Sequence, residues 1–562
     1  MPRYALIVAI VALVHPVVVA AQPEQKPVRI ESREAAVRQL LTPWNANDRP
    51  GAVVSVMIDG KVVASVSAGS ADLEHRLPLS PDAVFHAASL SKQFTAFAIL
   101  LLEQDGKLSI DDPASRYLPE IAHLGPVTLR QLLHHTSGIR DFSTLLRAAG
   151  WQAEDLVTNA QVTDMLFAQR GLNAKPGSAY QYINSDYVLL AEVVRRVSGM
   201  SLDAFCQMRV FRPLGMEHTH FQEDVGDVIP NRVQSYRRAK SGFRRALIAY
   251  QVVGSTNLQT TAGDLHRWAR NFETGYVGGA NVLARMAEQG VLNDGTVNTY
   301  AMGQDHYRFH GFETWMHGGR DAGFRSFLLR VPSEKLSVVV LGNVADLNSG
   351  LLATQVADLY LADRRGYRRD ATPSRTSPDA LALADYAGRY QLFPGLIFDI
   401  TAKDGQLYFQ QLGMGKPEAL TPLSSHSFAM SKDGWLRIEF PKKSHPAPSL
   451  VYRGGYDGFI VAPRIALADF NAGGIALDGY IGRYRSIELG VEYRLFVESG
   501  HLVAKGARQP GIALRPYQPD RFAGDEWFFQ DVTFERDRAG TISGFRLSGT
   551  SANGIVFKRI DD

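Results

Sequence analysis

An internal repeat sets the strongest limit on how the last third of this chain can fold. Tyr386-Ala387-Gly388-Arg389-Tyr390 returns 94 residues later as Tyr480-Ile481-Gly482-Arg483-Tyr484. Three further pairs keep a spacing of 94 or 95 residues: Gly405 with Gly500, Pro422 with Pro516, and Phe428 with Phe522. Each copy alternates short β-patterned runs with turns, which is typical of a small antiparallel barrel. We therefore predict two like barrels, at residues 380–470 and 475–562.

A basic connector separates this repeat from the rest of the chain. At 562 residues the chain is long enough for three or four domains, each with a core of its own. Residues 363–379 combine several arginines with Pro373, Pro378 and serines, as expected of a linker. We assign one large domain to residues 28–362, before this linker.

The first 21 residues have the pattern of a secretory signal. Arg3 precedes an apolar run over residues 5–20, which His15 and Pro16 interrupt. The run is short for a membrane span and ends in small residues. We predict export to the periplasm or the medium, with no stable membrane insertion once residues 1–21 are cleaved.

Charge and cysteine content narrow the partners. The net charge of +3 is small for this length, and the basic residues are dispersed outside the linker, so nucleic acid is not an expected partner. Cys206 is the single cysteine and cannot form an intrachain disulfide. Its helical pattern with Val210 and Phe211 predicts a position in the core.

Ser89 and Lys92 form the pattern most indicative of catalysis. Apolar residues recur at helical spacing over residues 94–102, which predicts a buried amphipathic helix beginning near Ser89. A lysine three residues after a serine lies on the same helical face and can take its proton, whereas Ser91 points elsewhere. The helix N-terminus favours negative charge on an acylating oxygen. For an isolated Ser-x-x-Lys motif, a serine that caps the helix and a solvated lysine are a better explanation than catalysis. Further motifs are therefore needed to decide between the two interpretations.

A hairpin and a pair of histidines lie on either side of this stretch. Two apolar runs, at residues 52–58 and 62–68, flank Asp59-Gly60-Lys61, which predicts a β-hairpin. His134 and His135 end a short amphipathic helix predicted within residues 127–139. Neighbours on a helix diverge and no third ligand follows at suitable spacing, so we assign this pair to structure and a loop contact rather than to a metal.

Tyr182 and Asn184 are the second candidate pair, in a polar and turn-rich segment. Two residues apart in an extended segment, their side chains would point the same way into a cleft. A phenol beside an ammonium group can act as a base, and an asparagine amide can bind a substrate carbonyl. A buried tyrosine that caps neighbouring backbone is the alternative.

Glycines mark a third segment. Gly318, Gly319 and Gly323 lie inside strand patterns of residues 315–329, which indicates close approach of a ligand or of other backbone. Residues 337–343 supply another strand and residues 351–361 a closing helix.

Together, Ser89-x-x-Lys92, Tyr182-x-Asn184 and His317-x-Gly319 resemble the three motifs of the penicillin-recognising serine hydrolases. They are most similar to the class C β-lactamase branch and its carboxypeptidase, esterase and D-aminopeptidase relatives. Segments 132–138, 213–216 and 261–265 are also similar to this branch, so the resemblance covers roughly residues 30–362. It implies an α/β (α+β) fold, a β-lactamase/transpeptidase-like domain with an antiparallel sheet and a helical subdomain.

The resemblance implies catalytic roles for Ser89, Lys92 and Tyr182. Ser89 would attack a carbonyl while Lys92 and Tyr182 share its proton. The oxyanion hole would be the backbone N–H groups of Ser89 and Arg320, and losing such a donor typically costs ~10² to 10³ in rate. Tyr182 would then activate the water that releases the acyl group.

Asn184, His317, Gly319 and Arg320 are the implied substrate-binding residues. Asn184 would hold the substrate, and His317 would line the opposite wall of the cleft. Histidine in place of lysine weakens the positive charge expected to hold a β-lactam carboxylate, and the bulky Arg320 follows where small residues are usual. Histidine here resembles the D-aminopeptidases and some esterases.

The domain order resembles that of bacterial D-aminopeptidases, in which two lipocalin-like barrels follow the catalytic domain. In those enzymes a loop from the last domain narrows the cleft, and residues 507–511 are the equivalent here, although an exposed hairpin tip has the same sequence character.

We interpret the chain as an exported serine hydrolase that forms an acyl-enzyme on peptides or amides with a D-residue, without a metal or organic cofactor. A carboxylesterase of the same fold ranks second, then a β-lactamase or DD-carboxypeptidase. A non-catalytic binding or sensor protein is disfavoured, because it needs no combination of Ser89, Lys92 and Tyr182. The expected partner is a small peptide, amide or ester, and assembly as a homo-oligomer is compatible with the sequence.

Overall fold

The structure is a computed structural model. It describes residues 30–368, 380–393, 396–412, 416–430, 436–441, 446–453, 459–466 and 474–560. The signal segment at residues 1–21 lies outside these residues, as does most of the predicted linker, residues 369–379. Among the helices in the described ranges, none is long and apolar enough to cross a membrane.

Residues 30–368 form an antiparallel sheet covered by helices. The strands are β1 (Ala52–Ile58), β2 (Lys61–Ala68), β3 (Ser70–Asp72), β4 (Leu77–Pro78), β5 (Phe85–His86), β6 (Val157–Thr158), β7 (His220–Phe221), β8 (Tyr236–Arg238), β9 (Phe243–Arg245), β10 (Tyr250–Gln251), β11 (Leu258–Thr260), β12 (Asp305–Phe309), β13 (Phe312–Asp321), β14 (Phe324–Val331) and β15 (Leu336–Gly342). The helices are α1 (Ile30–Leu40), α2 (Ser91–Gln104), α3 (Leu129–Leu133), α4 (Phe142–Ala148), α5 (Asn159–Phe167), α6 (Asn184–Ser198), α7 (Leu202–Cys206), α8 (Ala262–Thr274), α9 (Gly279–Met286) and α10 (Ser349–Leu361). Cys206 is fully buried at the end of α7, as its pattern predicts.

The central sheet has the strand order β12-β13-β14-β15-β1-β2. The predicted hairpin is β1–β2, and its turn residues Asp59 and Gly60 have φ of 48° and 72°, the left-handed region that this dipeptide tolerates. Alternate residues of β1 face opposite sides. Val54 packs in the cluster that holds α1 and α10, and Val53 packs in the cluster that holds α2 and α8.

Helix α2 is buried on every side rather than amphipathic, so that part of the prediction is wrong. Each residue from Ser91 to Leu102 is buried. The polar residues of the helix have partners inside the protein: Gln93 Oε1 accepts from Trp268 Nε1 at 2.7 Å, and Thr95 Oγ1 donates to the Gly254 carbonyl at 2.8 Å. A helix with satisfied polar groups can therefore lie in the interior, which places Lys92 there as well.

The C-terminal third contains α11 (Ala380–Tyr386) and two runs of strands. The first run is β16 (Gly388–Phe393), β17 (Leu396–Lys403), β18 (Gln406–Gln411), β19 (Glu418–Ala419), β20 (Thr421–Pro422), β21 (Ser427–Ala429), β22 (Arg437–Glu439), β23 (Ser449–Arg453) and β24 (Phe459–Ile465). The second run is β25 (Gly482–Ser486), β26 (Val491–Glu498), β27 (His501–Gly506), β28 (Ile512–Gln518), β29 (Arg521–Glu526), β30 (Phe529–Arg536), β31 (Ile542–Ser548) and β32 (Ile555–Ile560).

The second run closes into a barrel, and the first nearly does. The end strands of the first sheet, β19 and β20, are separated only by Leu420. In the repeat they correspond to the two halves of β28, so one broken strand accounts for the gap. The repeated tyrosines have the same role in each copy, since Tyr390 and Tyr484 donate to the carbonyls of Tyr386 and Tyr480, both at 2.9 Å. The predicted fold class is confirmed.

The second barrel packs against the helical subdomain, α3 to α7. Leu145 of α4 and Leu514 of the barrel belong to one continuous apolar cluster, whereas the first barrel has a cluster of its own. Arg140 and Glu488 form a buried ion pair across this interface at 2.6 Å. Burial lowers the pKa of Arg140, and Glu488 opposes that shift.

Glu488→Ala should destabilise the protein by about 3 kcal/mol, because it leaves the Arg140 guanidinium buried without its counter-ion. The free energy of unfolding from denaturant titration is the measurement. Glu535→Ala is the matched control, since it removes a carboxylate from the half-exposed pair with Arg546, for which the expected loss is under about 1 kcal/mol. Equal losses in the two variants would contradict a stabilising role for the interdomain pair.

Candidate active site

Ser89 lies in a 3₁₀ turn, Ala88–Leu90, which leads directly into α2. Ala88 has φ of 49°, an unusual value for a residue with a side chain. Two contacts hold this turn: the Ala88 N–H donates to His86 Nδ1 at 3.1 Å, and Ser326 Oγ donates to the Ala87 carbonyl at 2.6 Å. The serine is therefore half-exposed at a fixed position, as a nucleophile requires.

Gly319 allows β13 to lie directly against this turn. A Cβ at this position would lie 2.3 Å from the Ala87 carbonyl oxygen and 2.2 Å from Ser326 Oγ, so no side chain fits. Strand β12 pairs with β13 only as far as Met316, which leaves the end of β13 to face Ser89. The backbone of Arg320, the predicted second oxyanion donor, is at this end of the strand.

Lys92 is fully buried and lies between three separate segments. Its Nζ is 3.0 Å from Ser89 Oγ, 2.9 Å from Asn184 Oδ1 and 3.0 Å from the Ser255 carbonyl oxygen. The first contact is the one that proton transfer from the serine needs. The Ser255 carbonyl was not predicted, because a backbone acceptor leaves no residue-type pattern in a sequence.

Tyr182 and Asn184 both reach this amine. The ring centroid of Tyr182 is 4.6 Å from Lys92 Nζ. Asn184 is the first residue of α6, and its backbone N–H donates to Asp141 Oδ2 at 2.6 Å. Lys92 binds the side-chain oxygen of Asn184. The side-chain amide nitrogen of Asn184 is therefore available to donate, and it bonds to no other group in the described residues. That nitrogen can bind a substrate carbonyl.

His317 is buried and does not line the cleft, which differs from the predicted position on the opposite wall. Its Nδ1 is 2.7 Å from the Gly318 carbonyl, and its Nε2 is 3.3 Å from the Tyr300 hydroxyl. Burial, and then the charge of Lys92, lowers the pKa of His317 to about 3. The ring is neutral near pH 7, so it supplies no positive charge to a substrate.

A second buried pair, His135 and Asp186, lies next to Tyr182. His135 Nδ1 is 3.1 Å from Asp186 Oδ2, and the His135 ring lies 4.5 Å from the Tyr182 ring. Burial raises the pKa of Asp186 well above its ordinary value and lowers that of His135 well below. Burial therefore disfavours the charged form of each group. His134, by contrast, bonds to the carbonyls of Arg130 and Glu288, a structural role like the one predicted for it.

Ser89 opens on a cavity of about 290 Å³. Its wall contains Asn184, Arg320 and Asp321 as well as the serine, together with several apolar side chains. Trp527, from the turn between β29 and β30, also lines the cavity, so the second barrel forms part of the site.

The predicted loop, residues 507–511, contacts residues of the cavity wall but does not itself line the cavity. Arg508 donates to Asp155 at 2.7 Å, and its carbonyl accepts from Gln152 at 2.8 Å. Asp155 and Gln152 are wall residues, whereas Arg508 is not. No sequence motif points to Trp527, because packing between distant parts of the chain brings it to the cleft.

A serine in contact with a buried lysine, with an asparagine and a phenol at the same amine, on an antiparallel sheet flanked by helices, defines a serine hydrolase. The chain belongs to the Beta-lactamase family, which it matches over residues 34–361.

Relatives of known name extend this likeness. The chain is 29% identical over 530 residues to a D-aminopeptidase of Gluconobacter oxydans, with 91% of this chain and 96% of that protein covered. It is 27% identical to penicillin-binding protein 4* of Bacillus subtilis, with 70% and 90% covered. The fold is similar to that of an octameric penicillin-binding protein homologue from Pyrococcus abyssi, with a TM-score of 0.53, 23% identity, and 77% and 99% covered.

Ser89→Ala should abolish covalent labelling by a fluorophosphonate, because the hydroxyl beside Lys92 is the expected nucleophile. The intact mass of the labelled protein is the measurement. Ser91→Ala is the matched control: the Ser91 hydroxyl bonds only backbone groups, of Ala88 and Leu258, so this variant should still be labelled. Labelling of the Ser89 variant and not of the Ser91 variant would reverse the assignment.

His317→Gln should make stability less sensitive to acid. The pKa of His317 is about 3 in the folded protein against an ordinary value of 6.5, so the unfolded chain binds one more proton between these values. Stability is therefore lost as pH falls below about 6.5. Between pH 5.5 and 4.5 the unfolding free energy of the wild type should fall about 1.4 kcal/mol per pH unit more steeply than that of the variant.

Denaturant titration at several pH values measures this slope. Gln in place of the exposed His501 is the control and should keep the wild-type slope. A slope for His317→Gln equal to the wild-type slope would mean that His317 titrates in the folded protein.

Proposed function

We propose that the chain hydrolyses amides or peptides that begin with a D-residue, through an acyl-enzyme on Ser89. The observation that carries this proposal is the extent of the similarity to the D-aminopeptidase of Gluconobacter oxydans, which covers 91% of this chain and so includes both barrels. The likeness to penicillin-binding protein 4* covers 70%. A barrel side chain in the cavity, Trp527, gives the shared C-terminal part a reason to be retained.

In the proposed reaction Lys92 acts in its neutral form: Ser89 Oγ attacks the carbonyl carbon, and its proton moves to the Lys92 amine, 3.0 Å away. The backbone N–H groups of Ser89 and Arg320 would stabilise the oxyanion. As the C–N bond breaks, the proton passes to the leaving nitrogen, with Tyr182 as the relay beside Lys92. Water then attacks the ester and passes its proton through Tyr182 to Lys92, and a proton returns from Lys92 to the Ser89 oxygen as the carboxylic acid leaves.

The neutral state of His317 supports an aminopeptidase over a β-lactamase. A β-lactam or a DD-carboxypeptidase substrate carries a carboxylate, and the third motif would have to supply a cation to hold it. A buried histidine with a pKa of about 3 cannot do so near pH 7. An amide with a free amine makes no such demand.

We also propose that the chain is exported, on the pattern of residues 1–21. A homo-oligomer is a further proposal, for which the octameric Pyrococcus abyssi protein is a precedent within the fold.

A substrate panel tests the proposed activity. D-alanine and D-phenylalanine amides should be hydrolysed faster than their L-forms, and nitrocefin should be a poor substrate. Ser89→Ala should lose at least about 10⁴ of the rate, as expected when a nucleophile is removed. Product release followed by chromatography is the measurement.

Hydrolysis of p-nitrophenyl esters with no turnover of any amide would identify an esterase instead. Acylation without return of the unmodified mass would identify a binding or sensor protein. Preference for nitrocefin or a D-Ala-D-Ala peptide would contradict the role assigned to the neutral His317.

A further inference from the structure

Asp321 follows Arg320 on β13 and lines the same cavity as Ser89. One of its oxygens, Oδ2, accepts from Thr256 Oγ1 at 2.9 Å and from the Tyr250 hydroxyl. The other oxygen, Oδ1, makes no hydrogen bond to any residue in the described ranges. The side chain is 13% exposed and is part of the cavity wall, so Oδ1 is the oxygen available to a bound group.

The neighbours of Asp321 fix its orientation without neutralising it. Burial, and the adjacent carboxylate, raise the pKa of Tyr250 well above its usual range, so the phenol keeps its proton and donates. His86 Nε2 lies 3.6 Å from Oδ2, but burial lowers the pKa of His86 and disfavours the imidazolium. The carboxylate is thus held by hydroxyl groups, with one oxygen left to bind a cation.

The other acidic group of the cavity is already occupied. Asp155 Oδ1 accepts from Arg508 at 2.7 Å, and its Oδ2 accepts from the Gln152 backbone N–H at 2.7 Å. Asp321 is therefore the carboxylate that can meet a positively charged substrate group near Ser89.

Large apolar side chains, including two indole rings, contribute a substantial part of the cavity wall. They are Phe142, Leu146, Trp151, Val157, Leu247 and Trp527. Such a wall gains free energy by covering a large apolar side chain and little by covering a methyl group.

We propose that the substrate of Ser89 is an unblocked N-terminal residue with a large apolar side chain, whose ammonium group binds Asp321 Oδ1 and whose side chain packs on this wall. The inference rests on the proposed function and names its substrate class. A free amine recognised by a carboxylate distinguishes an aminopeptidase from an endopeptidase. The large apolar area of the wall favours a substrate side chain such as that of phenylalanine or leucine over the methyl group of alanine.

The first test compares the methyl ester of D-phenylalanine with its N-acetyl derivative. In the wild type, kcat/KM should favour the free amine. Asp321→Asn keeps an oxygen for Thr256 and Tyr250 but removes the charge, and the ratio of the two kcat/KM values should fall about 10- to 100-fold. Asp155→Asn is the matched control, since both oxygens of Asp155 already have partners. It should leave the ratio within about twofold of the wild type.

Esters are used so that this test is separate from the proposed function. An esterase with the same ammonium site would show the ratio and its loss while failing to cleave amides, which would refute the proposed function alone. A wild type with no preference for the free amine would overturn the present proposal. The proposal would also be overturned if the ratio of the two kcat/KM values were unchanged in Asp321→Asn, even if both esters were hydrolysed more slowly.

The second test concerns the side chain. Trp527→Ala should lower kcat/KM for D-phenylalanine methyl ester about 10-fold more than for D-alanine methyl ester, because only the larger side chain reaches the indole. Trp527→Phe keeps an aromatic wall and should retain most of the preference. Equal effects on the two esters would overturn the assignment of this wall.

Discussion

The burial of the Lys92 amine is the constraint on which the site depends. Removing an amine from water costs several kcal/mol unless hydrogen bonds replace the lost hydration. Its acceptors come from the Ser89 turn, from the first residue of α6, and from the Ser255 carbonyl ahead of β11. Lys92 and Ser255 are 163 residues apart in the chain, so satisfying this amine joins the sheet side of the molecule to the helical subdomain. The contacts that stabilise the core are the contacts that assemble the catalytic groups.

Neutral neighbours make this buried amine tolerable. A protonated His317 or His135 would oppose a positive charge on Lys92 by electrostatic repulsion. Burial disfavours the charged form of both imidazoles, and it raises the pKa of the Asp186 carboxyl beside His135. The positive charge that a proton from Ser89 creates on Lys92 is therefore met by oxygen acceptors and by the face of Tyr182, not by other cations.

Sequence reasoning was strongest where the determinant is local. The Asp59-Gly60 turn, the Ser89-Lys92 spacing and the repeated tyrosines each depend on residues close together in the chain, and the structure contains all three features. It was weak where the determinant is a distant partner. The amphipathic reading of α2 failed because polar partners such as Trp268 meet the helix inside the protein. His317 was expected on the cleft wall, but Tyr300 and the Gly318 carbonyl hold it in the interior.

The two barrels show how a duplicated domain can acquire a role in an active site. Their cores are specified by shared residues, since the tyrosine pairs bond alike in each copy. The groups that dock the second barrel are not shared. Tyr493 donates to the Ala148 carbonyl at 2.9 Å, and the repeat places Phe398, which has no hydroxyl, at the equivalent position. Glu488 forms the ion pair with Arg140, whereas the residue 94 positions earlier in the first copy is Pro394, which carries no charge.

The two copies therefore differ at the docking groups while sharing the residues of the tyrosine corner. At Tyr493 the difference is a single hydroxyl on a ring that packs in the barrel core, so the copy gains a docking hydrogen bond while an aromatic ring stays in its core. Once attached, the turn between β29 and β30 is held beside the cavity, and Trp527 becomes part of its wall. In the proposed mode of substrate binding, selection depends on a residue that is 40% exposed and outside the buried core of the barrel.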